Sequence, residues 1–158
     1  MPDLDLDGAA LDRLLAGAVT GVLETMFFAE AISAGAPEGL PALAAALSFR
    51  GRPSGEMTVC VSTAALRPLA AGFLGEDEAN ITETQAAEVI CEIANMLCGS
   101  VISQLESEKS FDLAPPHLIP AHHSGLESQT GHQTTSQTFA IQSGTLTVAL
   151  RMEREDSA

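Results

Sequence analysis

A carboxylate and a carboxamide lie three residues apart near the middle of the chain, at Glu92 and Asn95. Residues three and four apart are neighbours on one face of an α-helix, so this spacing places the two groups side by side. Glu88 and Gly99 extend the same face by about one turn in each direction. A carboxamide donates and accepts hydrogen bonds and can hold a water molecule, while a carboxylate can pair with a cation. A glycine within a helix costs roughly 1 kcal/mol against alanine, so Gly99 suggests that something approaches the backbone there.

The element that must position these groups is a helix predicted over residues 82–107. Thr82 and Gln85 form the pattern of a capping box at its start. Apolar residues recur at helical spacing and predict a face that packs on a core, opposite the polar face: Ala86, Val89, Ile90, Ile93, Leu97 and Val101. Every surface helix has a polar side, so a solvated stripe is the alternative interpretation of Glu88 and Glu92.

Composition predicts one folded domain over residues 1–158, because 46% of the residues are hydrophobic. The net charge of -14, with seven lysines and arginines, excludes nucleic acids and anionic membranes as expected partners. The acidic start does not match a signal peptide, and no apolar run approaches the roughly 18 residues of a membrane span, so we expect a cytoplasmic protein. Cys91 and Cys98 lie about 10 Å apart along one helix, too far for a disulfide, and with Cys60 they are predicted to be reduced thiols.

Before the long helix, the sequence predicts an amphipathic helix over 8–28, a break over 36–42, a hairpin with strands at 43–49 and 57–61, and a short helix ending at Gly75. After it, the sequence predicts an extended segment over 111–120 and a polar surface loop over 121–137. A second hairpin at 139–152 and a frayed end over 154–158 complete the chain. Ser62 or Thr63 is expected to cap the short helix, with Pro68 near its first turn.

The two hairpins contain similar sequences. SGEMTVCV at 54–61 matches SGTLTVAL at 143–150 in four of eight positions. This echo predicts a mixed α/β (α+β) fold, in which duplicated helix–strand–strand units form one mainly antiparallel sheet covered by long helices. The alternative is that hairpins with alternating apolar residues look alike by necessity.

Three segments together carry a resemblance to a known family: LETMFF in the first helix, EIANMLCGS in the long helix, and APPHLIP downstream. The arrangement resembles the CheX branch of the CheC/CheX/FliY chemotaxis phosphatases over nearly the whole chain. The resemblance implies a phosphatase that acts on a phosphorylated CheY-like response regulator. It places the catalytic pair at Glu92 and Asn95, with Asn95 orienting the attacking water and Glu92 pairing with the regulator's lysine. It implies no cofactor of the chain's own, and Mg²⁺ held by the regulator.

The same resemblance implies further contacts with the regulator. The family's downstream proline falls by spacing on Leu118, between Pro116 and Pro120, and Pro116 is chosen as the contact residue. Glu88 stands where the family commonly has a short Asp or Ser, and is expected to make a contact; Gly99 would leave room for the regulator's loops. The first helix has Glu24 but no asparagine three residues later, so one site per chain is expected. A homodimer is also implied.

Three other hypotheses remain open on sequence grounds. The chain could be a non-catalytic module that binds a response regulator, similar to flagellar-switch relatives. A metal site could involve His117, His122, His123 and His132, but their spacing matches no compact zinc pattern. Cys91 could act as a nucleophile, although no histidine base lies near it in sequence.

Overall fold

The computed structural model describes residues 8–26, 31–34, 41–51, 54–105, 111–121, 132–141 and 144–153. Three helices, a 3₁₀ turn and seven strands follow one another in this part of the chain: α1 (Gly8–Met26), β1 (Ile32–Ala34), β2 (Pro41–Arg50), β3 (Gly55–Ser62), α2 (Thr63–Leu74), the 3₁₀ turn (Glu78–Asn80), α3 (Glu83–Leu105), β4 (Asp112–Leu113), β5 (His117–Ile119), β6 (His132–Ile141) and β7 (Gly144–Glu153).

The seven strands form one sheet in the order β1-β6-β7-β3-β2-β4, with β5 also paired to β2. All the strand pairs are antiparallel. The helices α1, α2 and α3 contribute to a single hydrophobic core against the sheet. This arrangement confirms the predicted mixed α/β (α+β) class, with one mainly antiparallel sheet covered by helices.

The register of the two central strands explains the sequence echo. β3 and β7 pair so that Val59 lies opposite Val148, and these two residues also occupy equivalent positions in the echo. In the echo, Met57 is equivalent to Leu146, and Val61 is equivalent to Leu150. Met57 pairs with Leu150, and Leu146 pairs with Val61, so each unit makes the same contact with the other, as an approximate two-fold axis requires. A short strand of each unit also pairs with a long strand of the other unit, because β1 pairs with β6 and β5 pairs with β2. The sequence predicted the duplicated units but not β1 or the crossing of these short strands.

The core lies between the sheet and the helices. The six apolar residues predicted on the inner face of α3 are at most 4% exposed. By length and composition alone, Glu83–Gln104 could cross a membrane. Half of that apolar window is buried inside the fold, against the strands and the other helices, as in the core helix of a globular domain.

The start of α2 differs from the prediction. Ser62 occupies the N-cap position but makes no side-chain cap, because its hydroxyl accepts a hydrogen bond from the backbone N–H of Thr145 (3.0 Å). Pro68 is the sixth residue of the helix and lies in its second turn. A proline there removes one intrahelical hydrogen bond, a cost that the burial of Leu69 and Ala70 offsets.

The prediction of a surface loop over residues 121–137 is wrong for its last part, because residues 132–137 belong to β6. Two polar residues of this strand point towards the helices. The hydroxyl of Thr135 donates to the Asp12 carboxylate of α1, and Gln137 Nε2 donates to the Asp12 carbonyl (2.6 Å). Polar composition therefore reflects a polar contact between strand and helix, not exposure of a loop.

Several predictions fall outside the described residues. They concern the end of the first helix at 27–28, most of the break at 36–42, the loop containing His122 and His123, and the frayed end at 154–158. Within the described residues, the first helix begins at Gly8 as predicted, and both hairpins are confirmed.

Candidate functional site

The start of α3 is fixed by hydrogen bonds from two directions. The backbone N–H of Thr82 donates to Gln85 Oε1 (2.9 Å), and the N–H of Gln85 donates to Thr82 Oγ1 (3.1 Å), which confirms the predicted capping box. Arg67 of α2 donates from Nη1 to the carbonyls of Ile81 (2.8 Å) and Glu78 (3.0 Å). The helix that carries the candidate residues is thereby held to its neighbour before its first turn.

The candidate residues share the outer face of α3. Glu88, Glu92 and Asn95 are exposed and Gly99 is half-buried. At about 100° per residue, the four positions fall within roughly 60° of the helix circumference and extend about 16 Å along its axis. Ile93, on the opposite side, is fully buried. The core side of α3 is thus fixed by packing, while its polar face is free to meet a partner.

No contact within the described structure requires glycine at position 99. A Cβ added at Gly99 would meet nothing within 4 Å. Gly144, by contrast, is required, because a Cβ there would collide with the Ser62 hydroxyl and with Ala65. Gly99 therefore leaves an open space on the same face as Asn95, which no described residue fills.

The predicted contact residue Pro116 is half-buried and directly precedes β5. Leu118, which stands at the position of the family's downstream proline by spacing, lies in β5 opposite Ala45 and is 46% exposed. Residues directly opposite each other in a sheet point to the same face, and Ala45 belongs to the core under the helices. Leu118 therefore points to the helix side, at the sheet edge where β5 contacts α3. Pro120 follows this strand and is exposed.

The cysteines have the properties of structural thiols. All three are free. Burial raises the pKa of the Cys91 thiol next to Glu92, and it raises the pKa of Cys98 to about 12. A nucleophilic cysteine needs a lowered pKa, so this environment argues against the Cys91 hypothesis. Cys60 is also buried, and its thiol donates to the carbonyl of Ala121 (3.8 Å).

The histidine hypothesis is not supported by the two histidines that the structure describes. His117 lies in β5 and His132 in β6, and β2, β3 and β7 separate these strands. At about 4.8 Å per strand, the two backbones are roughly 19 Å apart, which is too far for one ion. Among the described residues, no group of three potential ligands could hold a metal ion.

Sequence reasoning missed two features next to the candidate site. Arg67 was not singled out, because its acceptors are carbonyls of a loop 11 and 14 residues downstream. Leu113 of β4 is exposed and lies opposite Phe49, a core residue, so it also points to the helix side. Only the strand register reveals this orientation, and no local pattern predicts that register.

Comparison with known proteins identifies the family. The family model described as Chemotaxis phosphatase CheX matches residues 43–140, which is more than half of the chain. No curated protein matches the sequence.

Solved structures share the fold. The chain is similar to chemotaxis protein CheX from Vibrio vulnificus (20% identity, TM-score 0.71, 90% of this chain and 96% of that one). It is similar to CheX in the CheX–CheY–BeF₃–Mg²⁺ complex from Borrelia burgdorferi (20% identity, TM-score 0.72, covering 94% of this chain and 99% of that one). It is more distantly similar to FliY from Thermotoga maritima (10% identity, TM-score 0.54, covering 97% of this chain and 93% of that one). From the family match, this chain belongs to the CheX family of chemotaxis phosphatases.

Proposed function

We propose that this chain hydrolyses the aspartyl phosphate of a CheY-like response regulator, with Asn95 and Glu92 as the catalytic residues. The observation that carries the proposal is their side-by-side exposure on α3 in a chain of this family. The attacking water forms a bond to phosphorus as the bond between phosphorus and the aspartyl oxygen breaks. The products are inorganic phosphate and the free carboxylate of the regulator.

Asn95 has the chemistry to orient that water. Its carboxamide accepts a hydrogen bond from the water through oxygen and donates one through nitrogen, so it can fix the water in line with the breaking bond. Little else is needed, because the catalysis of phosphoryl transfer consists mainly of positioning and charge stabilisation. The regulator's own Mg²⁺ stabilises the charge on the phosphoryl group, and this chain requires no cofactor.

Glu92 is proposed to align the insertion of Asn95. One turn away on the same face, its carboxylate would pair with the active-site lysine of the regulator. Glu88 and Gly99 on α3, and Pro116 before β5, are proposed as further contacts with the regulator. The Borrelia burgdorferi complex contains CheX together with CheY, BeF₃ and Mg²⁺, and a complex of that composition is what we propose for this chain. We further propose that the chain acts in the cytoplasm as a homodimer.

The decay of a phosphorylated CheY-like regulator in the presence of Mg²⁺, measured with and without the protein, tests this proposal. We expect wild type to accelerate the decay and Asn95→Ala to lose about 10²-fold of the acceleration or more, because a misplaced water costs that much. Glu92→Ala should chiefly raise the regulator concentration that half-saturates the rate. Gln104→Ala is the matched control, since Gln104 is an exposed carboxamide on the same helix that bonds within its own turn, to the Ser100 carbonyl.

The alternative is a non-catalytic module that binds a regulator, an activity that the shared fold would also allow. Binding of the phosphorylated regulator without any change in its decay would favour that module. Acceleration that survives Asn95→Ala unchanged would refute the assignment of the site. Protein concentrations should be set by peptide absorbance, because the chain has neither Trp nor Tyr.

A further inference from the structure

Two exposed leucines lie on one edge of the sheet, the edge at which β5 contacts α3. Leu113 of β4 is 37% exposed and Leu118 of β5 is 46% exposed. They lie opposite Phe49 and Ala45 of β2, and both of these residues belong to the core under the helices. Both leucines therefore point to the helix side of the sheet. Their partners are four residues apart on β2, which separates the leucines by about 13 Å along the edge. We call this pair the edge ridge.

The edge ridge is held in place by its surroundings. The Phe111 ring packs edge-on against Phe49, with centroids 6.3 Å apart, and it fills the space that a Cβ at Gly51 would need. The backbone N–H of Ala114 donates to the carbonyl of Ser48 (2.9 Å). Two prolines, Pro115 and Pro116, then fix the backbone before β5. The leucines are thus displayed on an ordered backbone, which lowers the entropy lost when a partner binds.

The polar face of α3 is too small to hold a protein substrate alone. Specific protein interfaces bury about 800 Å² on each partner, and a few residues in a well-packed, desolvated centre carry most of the binding energy. Glu88, Glu92 and Asn95 supply charge and hydrogen bonds but no apolar anchor. The edge ridge extends about as far along β2 as the candidate residues extend along α3, and it lies where β5 contacts that helix.

We infer that the edge ridge is the apolar anchor that binds the response regulator while Asn95 reaches its phosphoryl group. This inference rests on the proposed function, because it names the regulator as the occupant of the ridge. The regulator is expected to offer an apolar patch about 10–15 Å from its phosphorylated aspartate, to match the spacing between helix and edge. Leu113 and Leu118 would then determine affinity and specificity, and take no part in the chemistry.

The test compares the double variant Leu113→Ala/Leu118→Ala with wild type over a range of phosphorylated regulator concentrations. We expect the half-saturating concentration to rise at least tenfold while kcat stays within about twofold, because only binding is lost. Ile32→Ala is the matched control. Ile32 is more exposed (59%) but lies on the opposite edge, opposite Ala140, on the face away from the helices. Its substitution should change neither constant.

Direct binding of the BeF₃-activated regulator separates this inference from the proposed function. If wild type binds the regulator but does not accelerate the decay, the proposed catalysis fails. In that case a tenfold weaker Kd in the double variant supports the edge ridge, and an unchanged Kd overturns it. If wild type does not bind the regulator, both proposals fail. A double variant with an unchanged half-saturating concentration, or with a fall in kcat alone, overturns the ridge. Leu118→Asp, which places a charge in the proposed contact, should weaken binding further.

Discussion

Replacement of Gly99 by alanine should stabilise the free protein and weaken its action on the regulator. Gly99 lies within α3, six residues before its last residue, and a Cβ there meets nothing within 4 Å. Alanine loses less conformational entropy than glycine in a helix, so unfolding should cost about 0.5–1 kcal/mol more. For a chain of this length, 1 kcal/mol corresponds to a rise in Tm of about 2–4 °C.

The opposite effect on activity follows from the position of Gly99. If the regulator closes against α3 at this point, the added methyl group occupies space that the regulator needs. A longer side chain should be worse, so Gly99→Leu should reduce the rate at low regulator concentration more than Gly99→Ala does. Gly17→Ala and Gly21→Ala are matched controls on α1, because a Cβ at either position also meets nothing within 4 Å. They should stabilise the protein without changing its activity.

Urea unfolding and regulator dephosphorylation should be measured for all four variants. Gly99→Ala that destabilises the protein would show that the space at position 99 is not open. Stabilisation with full activity in Gly99→Ala, and also in Gly99→Leu, would refute the idea that the regulator approaches this part of α3. A loss of activity in the α1 variants would show that stiffening any helix, and not obstruction at Gly99, lowers the rate.

Three further predictions concern the fold that positions the site. Thr82→Ala should lower the free energy of unfolding by about 1 kcal/mol, and a double-mutant cycle with Gln85→Ala in urea should show that the two capping bonds are coupled. Gly144→Ala should cost about 1–3 kcal/mol in the same assay, because the new Cβ collides with the Ser62 hydroxyl; an unchanged midpoint would contradict that geometry. Burial raises the pKa of Cys98 from 9.0 to about 12, so the unfolded thiol ionises first and stability should fall as the pH rises from 9 towards 12. Cys98→Ala should reduce that dependence without abolishing it, because burial also raises the pKa of the Cys60 and Cys91 thiols. The difference can be resolved because the chain has no tyrosine and a single lysine.

The elements that depend on local patterns were predicted from the sequence. The capping box at Thr82 and the apolar stripe through Ile93 fixed both the start of α3 and the face that it buries. Because the helical period determines the opposite face, the exposure of Glu92 and Asn95 followed from the same reasoning. The roles of these residues were not tested in this way and remain proposals.

The features that depend on distant contacts were not predicted. The polar residues of β6 were interpreted as a loop, because nothing local shows that Thr135 and Gln137 bond to Asp12 of α1. The missing cap at Ser62 has the same cause, since its hydroxyl binds a backbone N–H from β7. In both cases a side chain that local rules assign to solvent or to a helix end is used in a contact more than 80 residues away in sequence.

The same distinction separates the two halves of the proposed regulator surface. The proposed catalytic pair, Glu92 and Asn95, is carried by one helix, and its geometry follows from helical spacing and from a buried inner face. The edge ridge belongs to short strands whose position depends on pairing with β2, and β5 contacts α3 only through the tertiary fold. On these proposals, the apolar anchor and the residue that orients the water lie on different elements, while the polar contacts made by Glu88, Glu92 and Gly99 share α3 with Asn95. If that is correct, substitutions on α3 at Asn95 should change kcat, whereas substitutions at Leu113 and Leu118 should change only the half-saturating concentration, and the two sets of effects should add because they share no side chain.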